Sequence, residues 1–166
     1  MKTKTVVQVL CVTVLLALGA AHAADATLQP APDFVLKSLS GENIRLSEYR
    51  GRIVMLSFWA SWCGECRTQL DRLAEVYASY RDSGFQLLAI NLDTERRQAA
   101  NAAEALGIDY PVLHDAAGEV GRLYEADAMP HVVFVDREGL LRGTVSGYRR
   151  GSDEQYLEFI RDLLRE

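Results

Sequence analysis

IVMLSFWASWCGECR, residues 53–67, decides how the rest of the chain is read. Residues 53–58 form a short apolar run, rich in β-branched and aromatic side chains, behind the turn-like Arg50-Gly51-Arg52. Such a run predicts a buried strand. Beyond Cys63-Gly64-Glu65-Cys66, the residues Leu70, Leu73, Val76 and Tyr77 recur at helical spacing as far as the stop signal Ser83-Gly84. Cys63 therefore stands where a helix opens, with Cys66 three residues further on.

That placement has chemical consequences. A helix start carries unpaired N–H groups and a partial positive charge, both of which favour an anion. The thiolate is such an anion, and it is the attacking form of cysteine. At i and i+3 the two sulfurs share one helix face, close enough to bond. Cys63, at the open end, is the expected nucleophile. Cys66, one turn in, is placed to resolve a mixed disulfide formed on Cys63.

The segment FWASWCGEC resembles the active site of the thioredoxin superfamily. Its surroundings are similar to the exported TlpA/ResA-type branch, whose thiol-disulfide oxidoreductases serve bacterial cytochrome c maturation and related work. The resemblance runs from about Ala31 to the C-terminus. Trp-Cys-x-x-Cys between a strand and a helix is specific, whereas a bare Cys-x-x-Cys is not.

The chain has 166 residues, enough for one domain. It opens with Lys2 and Lys4, runs through an apolar stretch over residues 6–18 and then offers Ala21-His22-Ala23. That pattern predicts a signal peptide over residues 1–23, cleaved near Ala23; beyond a lead-in over 24–32, the resemblance implies a thioredoxin-like domain over 33–166. The apolar stretch is shorter than the roughly 20 residues a spanning helix needs. The alternative is an uncleaved N-terminal helix anchoring the protein to the inner membrane. Either way the expected location is periplasmic. Loss of residues 1–23 removes two lysines and no acids, taking the net charge from −5 to −7. An acidic chain with mixed charges argues against nucleic acid as a partner.

Of three cysteines only Cys63 and Cys66 lie outside the leader. As a structural staple the pair would contribute little: loop entropy gives so small a ring about 2 kcal/mol, against about 4–5 for a loop of a hundred residues.

Taken in order, residues 34–36 and 43–46 predict a β-hairpin around the turn at 38–42, and residues 85–92 a second buried strand. Thr94 is the expected N-cap of a helix running to Leu106, with Gly107 ending it. Residues 110–113 predict a short strand and 117–125 a short helix. Residues 131–135 and 140–145 predict a final hairpin. Ser152 or Asp153 is expected to cap a last helix with the apolar stripe Tyr156, Leu157, Ile160 and Leu164. The fold class is α/β. The resemblance implies a thioredoxin-like fold: a mixed central sheet with helices on both faces, an N-terminal β-hairpin extension and a central βα insertion.

The resemblance also implies a site. Cys63 and Cys66 are its catalytic pair, working as a redox-active disulfide with no cofactor and no metal. Gly64 and Glu65 tune the redox poise, and a carboxylate at Glu65 disfavours a neighbouring thiolate. Trp62 is read as a half-exposed apolar wall for substrate, while Trp59 packs at the edge of the core. Met129 and Pro130 are the implied substrate-binding pair, joined by a cis peptide bond. Plain thioredoxin has a buried aspartate where this chain has Ser57, and a lysine near the position of Ala89. The Cys66 proton then needs another acceptor: Glu65, a water or His131.

The implied partners are protein disulfide substrates, such as apocytochrome c or a copper-site assembly protein, and a membrane thiol electron donor of the DsbD/CcdA type. The chain is expected to act as a monomer. Two other readings share the fold. A copper-binding chaperone of the Sco type uses Cys-x-x-x-Cys with a distal histidine, a different spacing. A thiol peroxidase shares Ala-Pro-Asp-Phe, but its Pro-x-x-x-Thr-x-x-Cys site is absent here.

Overall fold

The computed structural model describes residues 28–166. The predicted leader, residues 1–23, lies outside them, as do residues 24–27 of the lead-in. Among the described residues no helix is long and apolar enough to cross a membrane.

The chain runs β1 (Val35–Ser38), β2 (Asn43–Arg45), β3 (Ile53–Trp59), α1 (Gly64–Tyr80), β4 (Phe85–Asn91), α2 (Arg96–Ala105), β5 (Val112–His114), α3 (Glu119–Leu123), β6 (His131–Val135), β7 (Leu141–Ser146) and α4 (Ser152–Arg165). The strands form one sheet in the order β2-β1-β5-β4-β3-β6-β7. β3 pairs parallel with β4, and β4 with β5, while the other neighbours are antiparallel. This is the predicted thioredoxin-like α/β fold, with the hairpin β1–β2 and the piece β5–α3 added to one side of β4.

Every residue of β3 and β4 is buried. Their continuous apolar runs reflect layers on both faces, as central parallel strands require. On one face Met55, Trp59, Leu87 and Phe134 pack against Leu70, Leu73 and Val76 of α1 and Tyr156 and Ile160 of α4. On the other, Val54, Leu56, Phe58, Ile90 and Val133 meet Val120 and Tyr124 from the α3 segment. A large buried residue such as Leu70 contributes about 2–3 kcal/mol by burial.

Several boundaries differ from expectation. Thr94 does not cap α2; Glu95 holds the cap position without a side-chain bond. The helix start is tied down instead by Arg96, whose Nη2 donates to the Ser38 and Leu39 carbonyls at 2.7 and 2.9 Å. Gly107 ends the helix as predicted, with φ +62°. The Gly107 and Ile108 N–H groups then return to the Glu104 and Ala103 carbonyls. Neither Ser152 nor Asp153 caps α4. Gly151 does, at φ +92°, a conformation glycine adopts without strain. Ser152 lies inside the helix, its Oγ accepting the Arg149 N–H. Tyr156 and Ile160 face the core as expected, but the buried leucine is Leu163; Leu157 and Leu164 are half-buried at its margin.

Candidate active site

β3 ends at Trp59, and the chain turns directly into α1. The Cys63 N–H donates to the Ala60 carbonyl at 3.1 Å, closing a turn with Ser61 and Trp62 at its two corners. Cys63 takes an extended backbone (φ −84°, ψ 105°) in the N-cap position of α1. An N-cap side chain accepts from the free N–H groups of the first turn. Here the acceptor is sulfur: the Cys66 N–H reaches Cys63 Sγ at 3.1 Å. The two cysteines are joined as a disulfide, S–S 2.00 Å, with Cα atoms 5.3 Å apart. Once that bond is reduced, the same N–H and the positive end of the helix favour thiolate over thiol at Cys63. Cys63 is 8% exposed and Cys66 is fully buried, so an incoming disulfide meets Cys63 first.

Gly64 and Glu65 occupy the open side of the first turn, both exposed. A Cβ at Gly64 would meet nothing within 4 Å, so packing does not demand glycine there. Trp62 is 71% exposed, further out than the half-exposed wall expected, because it sits on the outer corner of the turn. Trp59 is fully buried in the α1 layer rather than at the core's edge. Its Nε1–H has no hydrogen-bond partner. The Met129–Pro130 bond is cis. Met129 packs, half-buried, against the cluster that contains Trp59, Cys63 and Cys66.

Beneath the dithiol, the position without an acid is filled by a neutral chain. Ser57, in register with Ala89 of β4, donates its hydroxyl to Gln69 Oε1 at 3.0 Å. Gln69 Nε2 in turn donates to the Tyr156 hydroxyl at 2.8 Å. All three side chains are fully buried. Burial raises the Tyr156 hydroxyl above its ordinary range, so it stays protonated.

His131 lies in the other layer. It pairs with Phe58 across β3 and β6, its ring 5.9 Å from the Phe58 ring, and it therefore shares Phe58's face of the sheet rather than that of Trp59 and the cysteines. Strand alternation decides this, since a shift of one residue changes face. The candidate relay role for His131 thus lacks the geometry it needs. Its Nδ1 lies 2.8 Å from Ser146 Oγ. Its buried Nε2 makes no hydrogen bond of good geometry, although the Tyr124 carbonyl lies nearby. Burial lowers its pKa, with the Tyr124 carbonyl, Asp127 and Glu125 opposing in part.

Two groups escaped the sequence reading. Gln69 sits three residues after Cys66 on the inward face of α1, a polar residue in an apolar stripe, and that spacing was its available signal. Asp93 lies two residues beyond the end of β4. Its carboxylate accepts the Ser61 N–H at 3.0 and 3.2 Å and the Ser61 hydroxyl at 3.0 Å. The ends of adjacent parallel strands are where α/β sheets place their sites. His114, for which the sequence offers no motif, has Nε2 2.7 Å from the Asp93 carbonyl.

Among the described residues no group of three or more His, Cys, Asp or Glu is placed to hold a metal ion. An open groove of about 720 Å³, lined by Leu39, Glu42, Ala103, Glu104 and Tyr110 among others, includes neither cysteine in its lining.

Comparison with known proteins agrees with this geometry. Residues 27–144 match the AhpC/TSA family. The chain is 33% identical over 132 residues to the thiol-disulfide oxidoreductase ResA of Geobacillus kaustophilus, covering 79% of this chain and 76% of that one. A Chlorobium tepidum structure, provisionally named as the thiol:disulfide interchange protein DsbE, superposes with TM-score 0.79 at 34% identity, over 82% of this chain and 96% of that one. A second Chlorobium tepidum structure, a thiol:disulfide interchange protein of the thioredoxin family, shares the fold with TM-score 0.74 at 23% identity, over 84% and 99%.

Proposed function

We propose, for a chain that belongs to the AhpC/TSA family of the thioredoxin superfamily and is a thiol-disulfide oxidoreductase of the ResA/DsbE type, that it works outside the cytoplasm as a reductant of protein disulfides. The observation that carries this reading is Cys63 Sγ in the N-cap position, accepting the Cys66 N–H and bonded to the Cys66 sulfur.

In the proposed cycle the Cys63 thiolate attacks one sulfur of a substrate disulfide. A mixed disulfide forms, and the other substrate sulfur leaves as a thiolate that takes up a proton. Cys66 loses its proton and attacks Cys63 Sγ, releasing the second substrate cysteine. The protein ends with the Cys63–Cys66 bond, the substrate with two thiols. Ser57, Gln69 and Tyr156 are neutral hydrogen-bonding groups, so the Cys66 proton leaves on the open side of the first turn, toward Glu65 and solvent. Trp62 and Met129, the latter joined by its cis bond to the buried Pro130, form the apolar surface on which an extended substrate segment rests.

The substrates we favour are apocytochrome c or a copper-site assembly protein, as for the TlpA/ResA-type branch. Because oxidising compartments hold thiols as disulfides, the cycle needs electrons from a membrane thiol donor of the DsbD/CcdA type. The leader over residues 1–23 exports the chain, which then acts as a monomer. A copper chaperone of the Sco type would need a histidine beside the sulfurs. Of the two described histidines, His131 faces the other layer and His114 is bonded to the Asp93 carbonyl.

The test is a Cys66→Ser trap in the native host. Substrates should accumulate as adducts on Cys63 that reductant releases, and their identities choose between cytochrome and copper-site clients. An absence of adducts beyond those of a Cys63→Ser, Cys66→Ser control would overturn the reading.

A further inference from the structure

Asp93 is 3% exposed, yet it is not part of the dithiol. Every side-chain or backbone group bonded to its carboxylate is a donor: the Ser61 N–H, the Ser61 hydroxyl, and Asn91 Nδ2 at 2.8 Å. The rest of the residue is held as well. Its N–H donates to Asn91 Oδ1 at 3.0 Å, and its carbonyl lies 2.7 Å from His114 Nε2. Asn91 is itself fully buried, so Asp93 is held from β4 at its carboxylate and N–H and from β5 at its carbonyl.

What the brace holds is the corner of the turn that leads into α1. That turn is closed by the Cys63 N–H on the Ala60 carbonyl, which leaves the Ser61 N–H pointing outward and in need of an acceptor. Asp93 supplies it with a charge-assisted bond, the stronger kind. Trp62 and Cys63 follow within two residues, so the orientation of this corner sets where the indole projects and how Cys63 Sγ faces the first-turn N–H groups.

We infer that Asp93 is a positioning residue for thiol exchange, acting through Ser61 to fix Trp62 and Cys63 in their working geometry. This rests on the proposed function, since it assigns a role within that site.

The experiment compares wild type with Asp93→Ala, Asp93→Asn and Ser61→Ala. It measures the Cys63 thiolate titration at 240 nm, kcat and KM for insulin disulfide reduction, and Tm. With the clamp lost in Asp93→Ala, the Cys63 pKa should rise by about one unit, as a hydrogen bond to the thiolate weakens. The kcat/KM should fall about tenfold, with KM rising as Trp62 loses its place. In Asp93→Asn an amide NH₂ must oppose one of the donors, so a smaller rise is expected, and Ser61→Ala should show the least. If Asp93→Ala does not fold, Asp93→Asn carries the test.

Variants that lose Tm but keep the wild-type titration and kcat/KM would reduce Asp93 to a structural role and overturn the inference. So would a fall in the Cys63 pKa, because a carboxylate acting through its charge alone raises that pKa and its removal lowers it. Wild type that leaves insulin intact, with the titration still shifting in Asp93→Asn, would instead sink the proposed function and leave the clamp standing.

Discussion

Ser57 Oγ donates to Gln69 Oε1 at 3.0 Å inside the layer that holds Cys66, and Gln69 passes the chain on to the Tyr156 hydroxyl. Buried hydrogen-bonding groups are costly to leave unpaired, at about 1–3 kcal/mol each. Gln69→Leu leaves the Ser57 hydroxyl without its acceptor, while the Tyr156 hydroxyl keeps Ser152, so it should destabilise the protein by about 1–3 kcal/mol in urea unfolding. Adding Ser57→Ala removes the orphaned hydroxyl and should restore part of the loss. Strict additivity of the two substitutions would show that the chain is not a coupled unit.

Glu65 lies exposed in the first turn of α1, beside the sulfurs in sequence and facing solvent. Its carboxylate opposes a second negative charge on Cys63. Glu65→Gln should lower the Cys63 pKa, by only a few tenths of a unit because solvent screens an exposed charge. Absorbance at 240 nm against pH reads this shift directly, and an unchanged curve would remove Glu65 from the tuning of the site.

Burial holds the His131 pKa below its ordinary value of 6.5, which favours the neutral ring in the folded protein. The unfolded chain therefore binds the extra proton first as pH falls. The stability this ring contributes is fully present above 6.5 and is lost as pH falls below it toward the folded value. Urea midpoints between pH 8 and pH 5 should show that decline in wild type and a flatter profile in His131→Asn. Equal slopes would mean the ring titrates alike in both states.

The two tryptophans separate surface from core. Trp59→Ala empties a fully buried site and should cost about 3–5 kcal/mol of stability. Trp62, at 71% exposure, should cost no more than about 0.5 kcal/mol when changed to alanine. Trp62→Ala should nevertheless raise KM for a protein disulfide. An unchanged KM would exclude the indole from substrate contact.

The fold is legible because the central strands are largely apolar runs and the long helices α1 and α4 carry clear stripes. Residues 53–58 and 85–92 could only be buried strands, and the helical spacing behind Cys66 required a helix between them. Residue type alone misplaces the helix caps at Thr94 and at Ser152 or Asp153. Arg96 bonding to the hairpin and the left-handed Gly151 set the true starts. His131 shows the limit of proximity in sequence. It follows Pro130, but strand alternation turns it to the far layer. Asp93 and Ser61 are 32 residues apart, and only the pairing of β3 with β4, which sets Trp59 opposite Asn91, brings their loops together.

The most direct measurement is the pH dependence of iodoacetamide alkylation of the reduced protein, with the modified cysteine identified by peptide mass. Cys63 should react first, with a midpoint clearly below the ordinary thiol value of about 8.5. Modification of Cys66 before Cys63, or a Cys63 midpoint at or above that value, would contradict the account.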